Sequence, residues 1–319
     1  MKAFFLILIS LSLRLMSFSQ SIEIMDKQRI KQNKIKTQTL YEYDYVKGKP
    51  STKGTKARVV NFDQQGNKIE ETNYRFNGSV HYIVSFKYDE TGNKTEYAKY
   101  TGEDKKLNYK QTLKFDSKGN KLMETGFNGD QNFEIVYNYN PDGKLSEVSY
   151  FLDKNLDEKR QYKYTGNTAE LNVLDGSGNL KFIQKNTYSA SGKILEELRY
   201  ENNTLTRKIT YTYDNNENLT SETKYLSGKL AGKITRIYNE KGKLSEVNQE
   251  NNENQKFLTN KYTYNDKGWV IEELSRSDPD KDFSKDTYTY DDNGICKTID
   301  SYYAQYKQQV LSVFAYDYY

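Results

Sequence analysis

A short phrase repeated ten times constrains this chain more than any other feature. Its clearest copies occupy residues 62–67, 88–93 and 115–120, and they read aromatic, Asp, two variable residues, Gly and Asn. Successive anchor aromatics are 24 to 27 residues apart. A period sustained over most of a chain indicates a repeat array. The ten anchors are Phe62, Tyr88, Phe115, Tyr139, Tyr164, Tyr188, Tyr213, Tyr238, Tyr264 and Tyr290.

The phrase predicts a β-hairpin turn. Asp or Asn follows the anchor in eight copies, and Gly stands four places after the anchor in eight. An Asp side chain can accept hydrogen bonds from backbone two residues on, and Gly adopts a positive φ without steric cost. We therefore predict a type I turn closed by a G1 bulge. A β-branched residue at Gly119 or Gly242 should then destabilise the fold.

The residues around each turn predict strands. Two places before the anchor stand mostly apolar or aromatic residues, such as Phe86 and Tyr137, whereas the residue directly before the anchor is polar in nine copies of ten. Period-two alternation indicates a strand with one buried face. The predicted fold is all-β, a tandem antiparallel β-hairpin repeat array of about ten ~25-residue units that forms an elongated, twisted or spiralled sheet. Its exposed edges would invite edge-to-edge self-association.

The chain divides into three predicted segments. Residues 1–19 are interpreted as a signal peptide, because a charged residue, an eleven-residue apolar run and small residues at the cleavage site follow one another. Residues 20–40 are a polar lead-in, for which a solvated tether is favoured over electrostatic attachment to an anionic surface. Residues 41–319 are the β-hairpin repeat domain, with a capping hairpin at 41–60 and a terminal strand at 310–319.

The predicted location is periplasmic, cell-surface or secreted. No later stretch approaches the ~20 apolar residues of a transmembrane helix. An outer-membrane barrel is disfavoured, since Lys, Glu and Thr occur at both strand parities and the mean hydropathy is −0.97. Removing Lys2 and Arg14 with the leader leaves 46 of the 48 basic residues against 44 acidic ones, a net charge of +2. This near-neutral balance gives no reason to expect a nucleic-acid partner.

The phrase resembles the YD repeats of the Rhs family. Those repeats carry Tyr-Asp-x-x-Gly, then Arg or Asn and an aliphatic residue, and residues 88–93 and 213–219 nearly reproduce that pattern. The resemblance covers about residues 55–300. It implies an exported β-hairpin array, which in full-length family members spirals into a shell around a toxic C-terminal domain. We expect no such domain here, because the array runs to within about twenty residues of the end.

Catalytic and metal-binding residues are sparse. The single histidine, His81, is predicted to lie on a surface strand, and the single cysteine, Cys296, to be a buried small hydrophobe without a disulfide. Glutamates recur eight places after the anchors, as at Glu147, Glu196 and Glu272. Such regularity favours structural or solvated-face roles. We therefore predict no catalytic residues, no cofactor and no metal, although a paired-carboxylate enzyme remains an alternative.

A tyrosine ladder is the candidate binding feature. Tyrosines stand both at the anchor and two places before it in five copies. The rings either pack as the core, at roughly 0.2–1 kcal/mol per cross-strand pair, or stay exposed and bind sugar rings or a partner chain. The candidate binding residues are Tyr211, Tyr213, Tyr262, Tyr264, Tyr288 and Tyr290.

The predicted function is an exported, non-catalytic repeat scaffold or binding module at the cell envelope or outside the cell. Its partner would be a polysaccharide or a protein. Two alternatives remain open. The first is a shell or accessory component related to Rhs-type toxin systems, and the second is a secreted carbohydrate-active enzyme.

Overall fold

The structure is a computed structural model that describes residues 26–319, so the predicted signal peptide lies outside the described residues. The described chain consists of one short helix and 23 strands, which confirms the all-β prediction. The elements are α1 Lys27–Gln32, β1 Ile35–Val46, β2 Lys49–Pro50, β3 Thr55–Phe62, β4 Lys68–Tyr74, β5 Val80–Tyr88, β6 Lys94–Thr101, β7 Lys106–Phe115, β8 Lys121–Phe127, β9 Asn132–Tyr139, β10 Leu145–Leu152, β11 Asn155–Thr165, β12 Thr168–Asp175, β13 Leu180–Tyr188, β14 Ile194–Glu201, β15 Thr204–Tyr213, β16 Leu219–Leu226, β17 Lys229–Tyr238, β18 Leu244–Glu250, β19 Lys256–Tyr264, β20 Val270–Ser275, β21 Ser284–Tyr290, β22 Cys296–Tyr303 and β23 Gln308–Tyr318.

The strands form one antiparallel sheet that closes on itself. Each strand from β3 onward pairs with the next along the chain, and β1 pairs with both β3 and β23. Apart from the two-residue β2, which pairs with the end of β1, the 22 strands make a closed barrel. The predicted elongated, twisted or spiralled sheet is therefore wrong. The backbone groups of β1 and β23 form hydrogen bonds with each other. The closed sheet therefore has no free edge for self-association.

Ten hairpins build the wall, one for each anchor aromatic. In the first, Asp63 Oδ1 accepts hydrogen bonds from the backbone N–H groups of Gln65 and Asn67, both at 2.9 Å. The N–H of Gly66 donates to the Asp63 carbonyl at 2.9 Å, and Gly66 has φ of +79°. The strand register shifts at Phe62, directly before the turn. The predicted turn with its bulge is confirmed.

Gly119→Val should destabilise the barrel. Gly119 has φ of +83°, and beyond its two chain neighbours no heavy atom of the described chain lies within 4 Å of the position that a Cβ would take. The loss would therefore come from backbone strain alone, about 1–3 kcal/mol. Chemical denaturation would measure it, with Lys118→Val in the same turn as the control. If both variants unfold like the parent, Gly119 does not need its left-handed conformation.

The fifth hairpin uses a different turn. Its strands β11 and β12 pair without a bulge and are joined through Gly166 and Asn167. The turn phrase recurs at the opposite end of β12, where Asp175 Oδ1 accepts hydrogen bonds from the N–H groups of Ser177 and Asn179. The fifth hairpin therefore continues the sheet without a break, although its copy of the phrase is degraded.

The two faces of the wall differ in burial. The anchors and the residues two and four places before them share one face, on which Ile135 and Tyr137 are 3% and 9% exposed. Asn138, between Tyr137 and the anchor, lies on the other face and is exposed. Side chains crowd on the concave side of a closed barrel. The more buried face is therefore the inner one.

The outer face carries cross-strand ion pairs. Lys159 Nζ lies 3.3 Å from Glu147, and Lys285 Nζ lies 2.7 Å from Glu272. The acidic partners belong to the glutamates found eight places after six of the ten anchors, which supports their interpretation as solvated-face residues. His81 is an exposed residue of strand β5, as predicted.

The inner face lines a lumen. Strand-to-strand contacts in the described chain join hydrogen-bonded neighbours. Buried apolar side chains form three separate clusters, each spanning neighbouring elements of the wall. A closed barrel of this many strands is wider than its own side chains can fill. The barrel thus lacks the single continuous core of a compact domain.

The described part of the lead-in is ordered. α1 is followed by β1, which begins at Ile35 rather than near the predicted boundary at 41. Ile30 is buried in a cluster with residues of the first and last hairpins, including Ile295. Arg29 donates to the carbonyl of Gly294 at 3.1 Å. This segment is therefore docked over the closure of the barrel instead of forming a solvated tether.

Candidate functional site

The six tyrosines selected from the sequence lie on the inner face. β19 and β21 are two strands apart, and β15 is four strands from β19. At about 4.8 Å per strand, the tyrosine pairs stand about 10 Å and about 19 Å apart around the wall. The pairs are Tyr211 and Tyr213 on β15, Tyr262 and Tyr264 on β19, and Tyr288 and Tyr290 on β21.

The anchor tyrosines bond to the wall itself. The hydroxyl of Tyr213 donates to the carbonyl of Ile194 at 2.8 Å, and that of Tyr264 donates to the carbonyl of Leu244 at 2.7 Å. Each acceptor belongs to the preceding hairpin, so the ring ties two hairpins together near their turns. This geometry favours the packing interpretation, and ligand binding by these residues remains a prediction. The same bond recurs at Tyr88, Tyr139, Tyr238, Tyr290 and Tyr316.

The second tyrosine of a pair meets a carboxylate that the sequence analysis missed. The Tyr137 hydroxyl donates to Glu124 Oε1 at 2.6 Å, and Gln111 Nε2 donates to the same carboxylate. Glu124 is 3% exposed and forms an ion pair with Lys121. Burial and the bond to Glu124 raise the pKa of Tyr137, so its hydroxyl remains a neutral donor.

This amide–carboxylate–phenol triad occurs three times around the inner wall. The central glutamates stand nine places after their anchors, one place beyond the outward-facing series. An amide side chain stands thirteen places before each one, and that fixed offset is the sequence signal that could have revealed them. The triads are Gln111, Glu124 and Tyr137; Gln184, Glu197 and Tyr211; and Asn260, Glu273 and Tyr288.

The triad at Glu273 differs from the other two in its charge environment. Glu273 faces Asp286 in the adjacent strand. Burial and the Asp286 charge raise the pKa of Glu273 despite hydrogen bonds from Tyr288 and Asn260. Burial and the nearby Glu273 charge raise the pKa of Tyr262, whose side chain is 4% exposed. This part of the wall therefore concentrates buried carboxyl and phenol groups.

Glu273→Gln should stabilise the barrel at neutral pH. The folded pKa of Glu273 lies above its ordinary value of 4.5, so folding favours the protonated carboxyl. The stability that this carboxyl contributes is fully present below the unfolded pKa and is lost as pH rises through the folded pKa. A glutamine cannot ionise, so the variant does not lose stability in this way as the pH rises. The variant's thermal midpoint should exceed the parent's at pH 8, and the gap should close at pH 4. Glu272→Gln, on the outer face, is the control, and a gap that does not change with pH would contradict the assignment.

Cations gather on another part of the inner wall. Arg199 and Arg207 face each other across β14 and β15. The Arg199 guanidinium lies 3.7 Å from the ring centroid of Phe182, and Arg207 donates to Gln184 Oε1 at 3.3 Å. Burial and the neighbouring Arg199 charge lower the pKa of Arg207. Glu201 lies 2.8 Å from Arg199 Nε, and Glu197 stands on the same face of β14, so carboxylates compensate the two arginines.

The remaining candidates for chemistry are isolated. Cys296 is 2% exposed, and burial raises the pKa of its thiol to about 12, so the prediction of a buried small hydrophobe is confirmed. Residues 26–319 contain no group of three or more His, Cys, Asp or Glu side chains placed to hold a metal ion. In the same part of the chain, no helix is long and apolar enough to cross a membrane.

Comparisons with known proteins give only distant likenesses. A family model described as "Uncharacterised protein" matches residues 151–231. The comparison with curated proteins finds no match. A chain of the solved TcdB2-TccC3-Cdc42 structure is 14% identical with a TM-score of 0.38, and the match covers 80% of this chain and 16% of that one.

Porin-like proteins are a second group of structural neighbours. The one from Bacteroides uniformis is 13% identical with a TM-score of 0.32, and the match covers 89% of this chain and 97% of that one. The one from Bacteroides vulgatus is 10% identical with a TM-score of 0.26, covering 89% and 98%. At these TM-scores, neither group establishes a family or a function for this chain.

Proposed function

We propose that this protein is an exported, non-catalytic binding protein of the cell envelope that takes a polysaccharide strand into the lumen of its barrel. The observation that carries the proposal is the inner wall, where aromatic rings alternate with hydrogen-bonding carboxyl, amide and hydroxyl groups around unfilled space. Aromatic rings supply large apolar contact area, and the polar groups can bond to sugar hydroxyls. Both are needed to hold a carbohydrate.

The charged side chains of the outer face favour a location in aqueous surroundings. Its lysine and glutamate side chains project from the middle of the strands, as Lys159 and Glu147 do. A Lys or Arg on the lipid face of a membrane barrel costs about 2–4 kcal/mol at the bilayer midplane. We therefore place the barrel in the aqueous part of the envelope or outside the cell. The apolar leader at residues 1–19 supports export.

Co-sedimentation with isolated envelope polysaccharide, combined with cysteine protection, tests this function. Cys296 is buried, so an introduced cysteine can be labelled selectively by a maleimide. Ser312→Cys places the thiol on the inner wall, and Thr263→Cys places it on the exposed outer face. We expect the parent to co-sediment, and the polysaccharide to slow labelling of Ser312→Cys but not of Thr263→Cys. Protection of the outer position alone, or no co-sedimentation, would refute binding in the lumen.

A second candidate is a shell or accessory component related to Rhs-type toxin systems. Closure of the hairpin array around a lumen favours it, because the same space could hold a guest polypeptide. A polypeptide that co-purifies with the barrel and protects Ser312→Cys from labelling would support this candidate. Protection by polysaccharide in the absence of any co-purifying chain would favour the first proposal.

The non-catalytic assignment has its own test. Glu273 and Asp286 are the inner-wall carboxylates on which a carbohydrate-active enzyme would depend, since they face each other across two strands, and burial with the Asp286 charge raises the pKa of Glu273. We expect no release of reducing sugar ends from the bound polysaccharide. Hydrolysis by the parent that is abolished in a folded Glu273→Gln variant would establish an enzyme instead.

A further inference from the structure

A cavity at one end of the barrel is distinct from the triads. It lies between α1 and the inner face of the first two hairpins, and its volume is about 480 Å³. Small-molecule sites commonly have volumes of about 300–1,000 Å³. Ile30, Val60 and Phe62 give the cavity apolar walls. Its charged lining residues are Lys27, Arg58, Lys68 and Glu71.

Two of these charges neutralise each other. Lys68 Nζ lies 2.8 Å from Glu71 Oε2, and Asn73 Nδ2 donates to Glu71 Oε1 at 2.9 Å. Burial alone would raise the pKa of Glu71, but the bonds from Asn73 and Lys68 lower it overall. Glu71 is therefore ionised and already satisfied. The Arg58 charge contributes to the lowered pKa of Glu71, but Arg58 lies beyond ion-pair distance of this carboxylate.

Arg58 and Lys27 are the cations of the cavity that form no close ion pair in the described chain. Neither has a carboxylate within ion-pair distance in the described chain. Arg58 is half-buried on the strand next to β1, and its Nε is buried with no hydrogen-bond acceptor among residues 26–319. A guanidinium presents donors in a planar fork that matches the two oxygens of a carboxylate or phosphate. The cavity thus holds donors that suit an anion and apolar walls that suit its body.

We propose that this cavity binds the oxyanion group of a small ligand, a carboxylate or a phosphate, through Arg58 with Lys27 beside it. The apolar side chains of Ile30 and Phe62 would cover the rest of the ligand. This site does not depend on the lumen function. A protein that fails to bind polysaccharide could still bind the anion here.

Isothermal titration calorimetry on the full chain at low ionic strength tests the site. The probes are sodium glucuronate, inorganic phosphate and, as the neutral control, glucose. We expect one or both anions to bind and glucose not to bind. Arg58→Gln should weaken anion binding by about tenfold or more, since it removes charge-assisted hydrogen bonds. Lys163→Gln, on the exposed outer face of β11, should bind like the parent.

The outcomes separate the ligand sources. Binding of glucuronate alone indicates a carboxylate, binding of phosphate alone indicates a phosphate, and binding of both indicates an oxyanion site with little selectivity. If Arg58→Gln fails to fold, Lys27→Gln on the exposed helix serves instead, with an expected loss of a few-fold. No binding of either anion, or equal binding by the parent and the folded variants, would overturn the proposal.

Discussion

Oxidation of a Thr39→Cys, Ala315→Cys double variant should join the two ends of the chain by a disulfide. Thr39 and Ala315 are direct partners in the pairing of β1 with β23, and both lie on the outer face. Opposed residues in antiparallel strands have Cα atoms about 4.5–5.5 Å apart, within the range that a disulfide spans. Because the bond closes a loop around nearly the whole chain, it should raise the unfolding free energy by as much as about 5 kcal/mol.

The double variant directly tests closure of the barrel. Non-reducing electrophoresis would show a faster intramolecular species, and denaturation with and without reductant would measure the stabilisation. The matched control pairs Thr39→Cys with Thr263→Cys, two outer-face positions on strands that are not neighbours. Crosslinking of the control as readily as the test pair, or only intermolecular crosslinks in the test pair, would mean that the two ends do not meet within one molecule.

Glu124→Ala should destabilise the barrel by about 3–5 kcal/mol, because it removes one member of a buried charged network. The substitution leaves the buried Tyr137 hydroxyl and the Gln111 amide without their acceptor. It also leaves Lys121 without its ion-pair partner. Urea denaturation would measure the loss of unfolding free energy.

Glu147→Ala is the matched control for that substitution. Glu147 stands eight places after its anchor and Glu124 nine places after its own, so the two differ in the face on which they lie. The outer Glu147 pairs with Lys159 at 3.3 Å, and surface ion pairs contribute about 0–1 kcal/mol. Equal losses in the two variants would contradict the assignment of inner and outer faces.

The turns were predictable because their chemistry is local. Asp63, Gly66 and Asn67 contact one another within six residues of chain, so the residue types and their spacing were sufficient to predict the geometry. The strands followed from alternation on either side of each turn. The buried Cys296 followed from its alignment with aliphatic residues in other copies.

The candidate site was predictable only in part. The inner-face tyrosines, such as Tyr211, could be found because they recur at fixed offsets from the anchors. Glu124, Glu197 and Glu273 were missed because the bulge after each turn changes the parity of the following strand. A residue nine places after the anchor therefore faces inward, whereas the more conspicuous series at eight places faces outward. Arg58 was missed because its role depends on α1, which lies beside it only in the folded chain.

The sequence by itself determined an all-β chain of ten hairpins, with a polar strand face and a tyrosine-rich one. Each of those features depends on contacts between residues close together in the chain. Only the tertiary structure decided that the array closes, that β1 meets β23, and that the tyrosine-rich face lines a lumen. Closure depends on strand tilt and twist accumulated over 22 strands. The sequence of one repeat determines only its own tilt and twist. Closure of the barrel could therefore not be predicted from ten nearly identical hairpins.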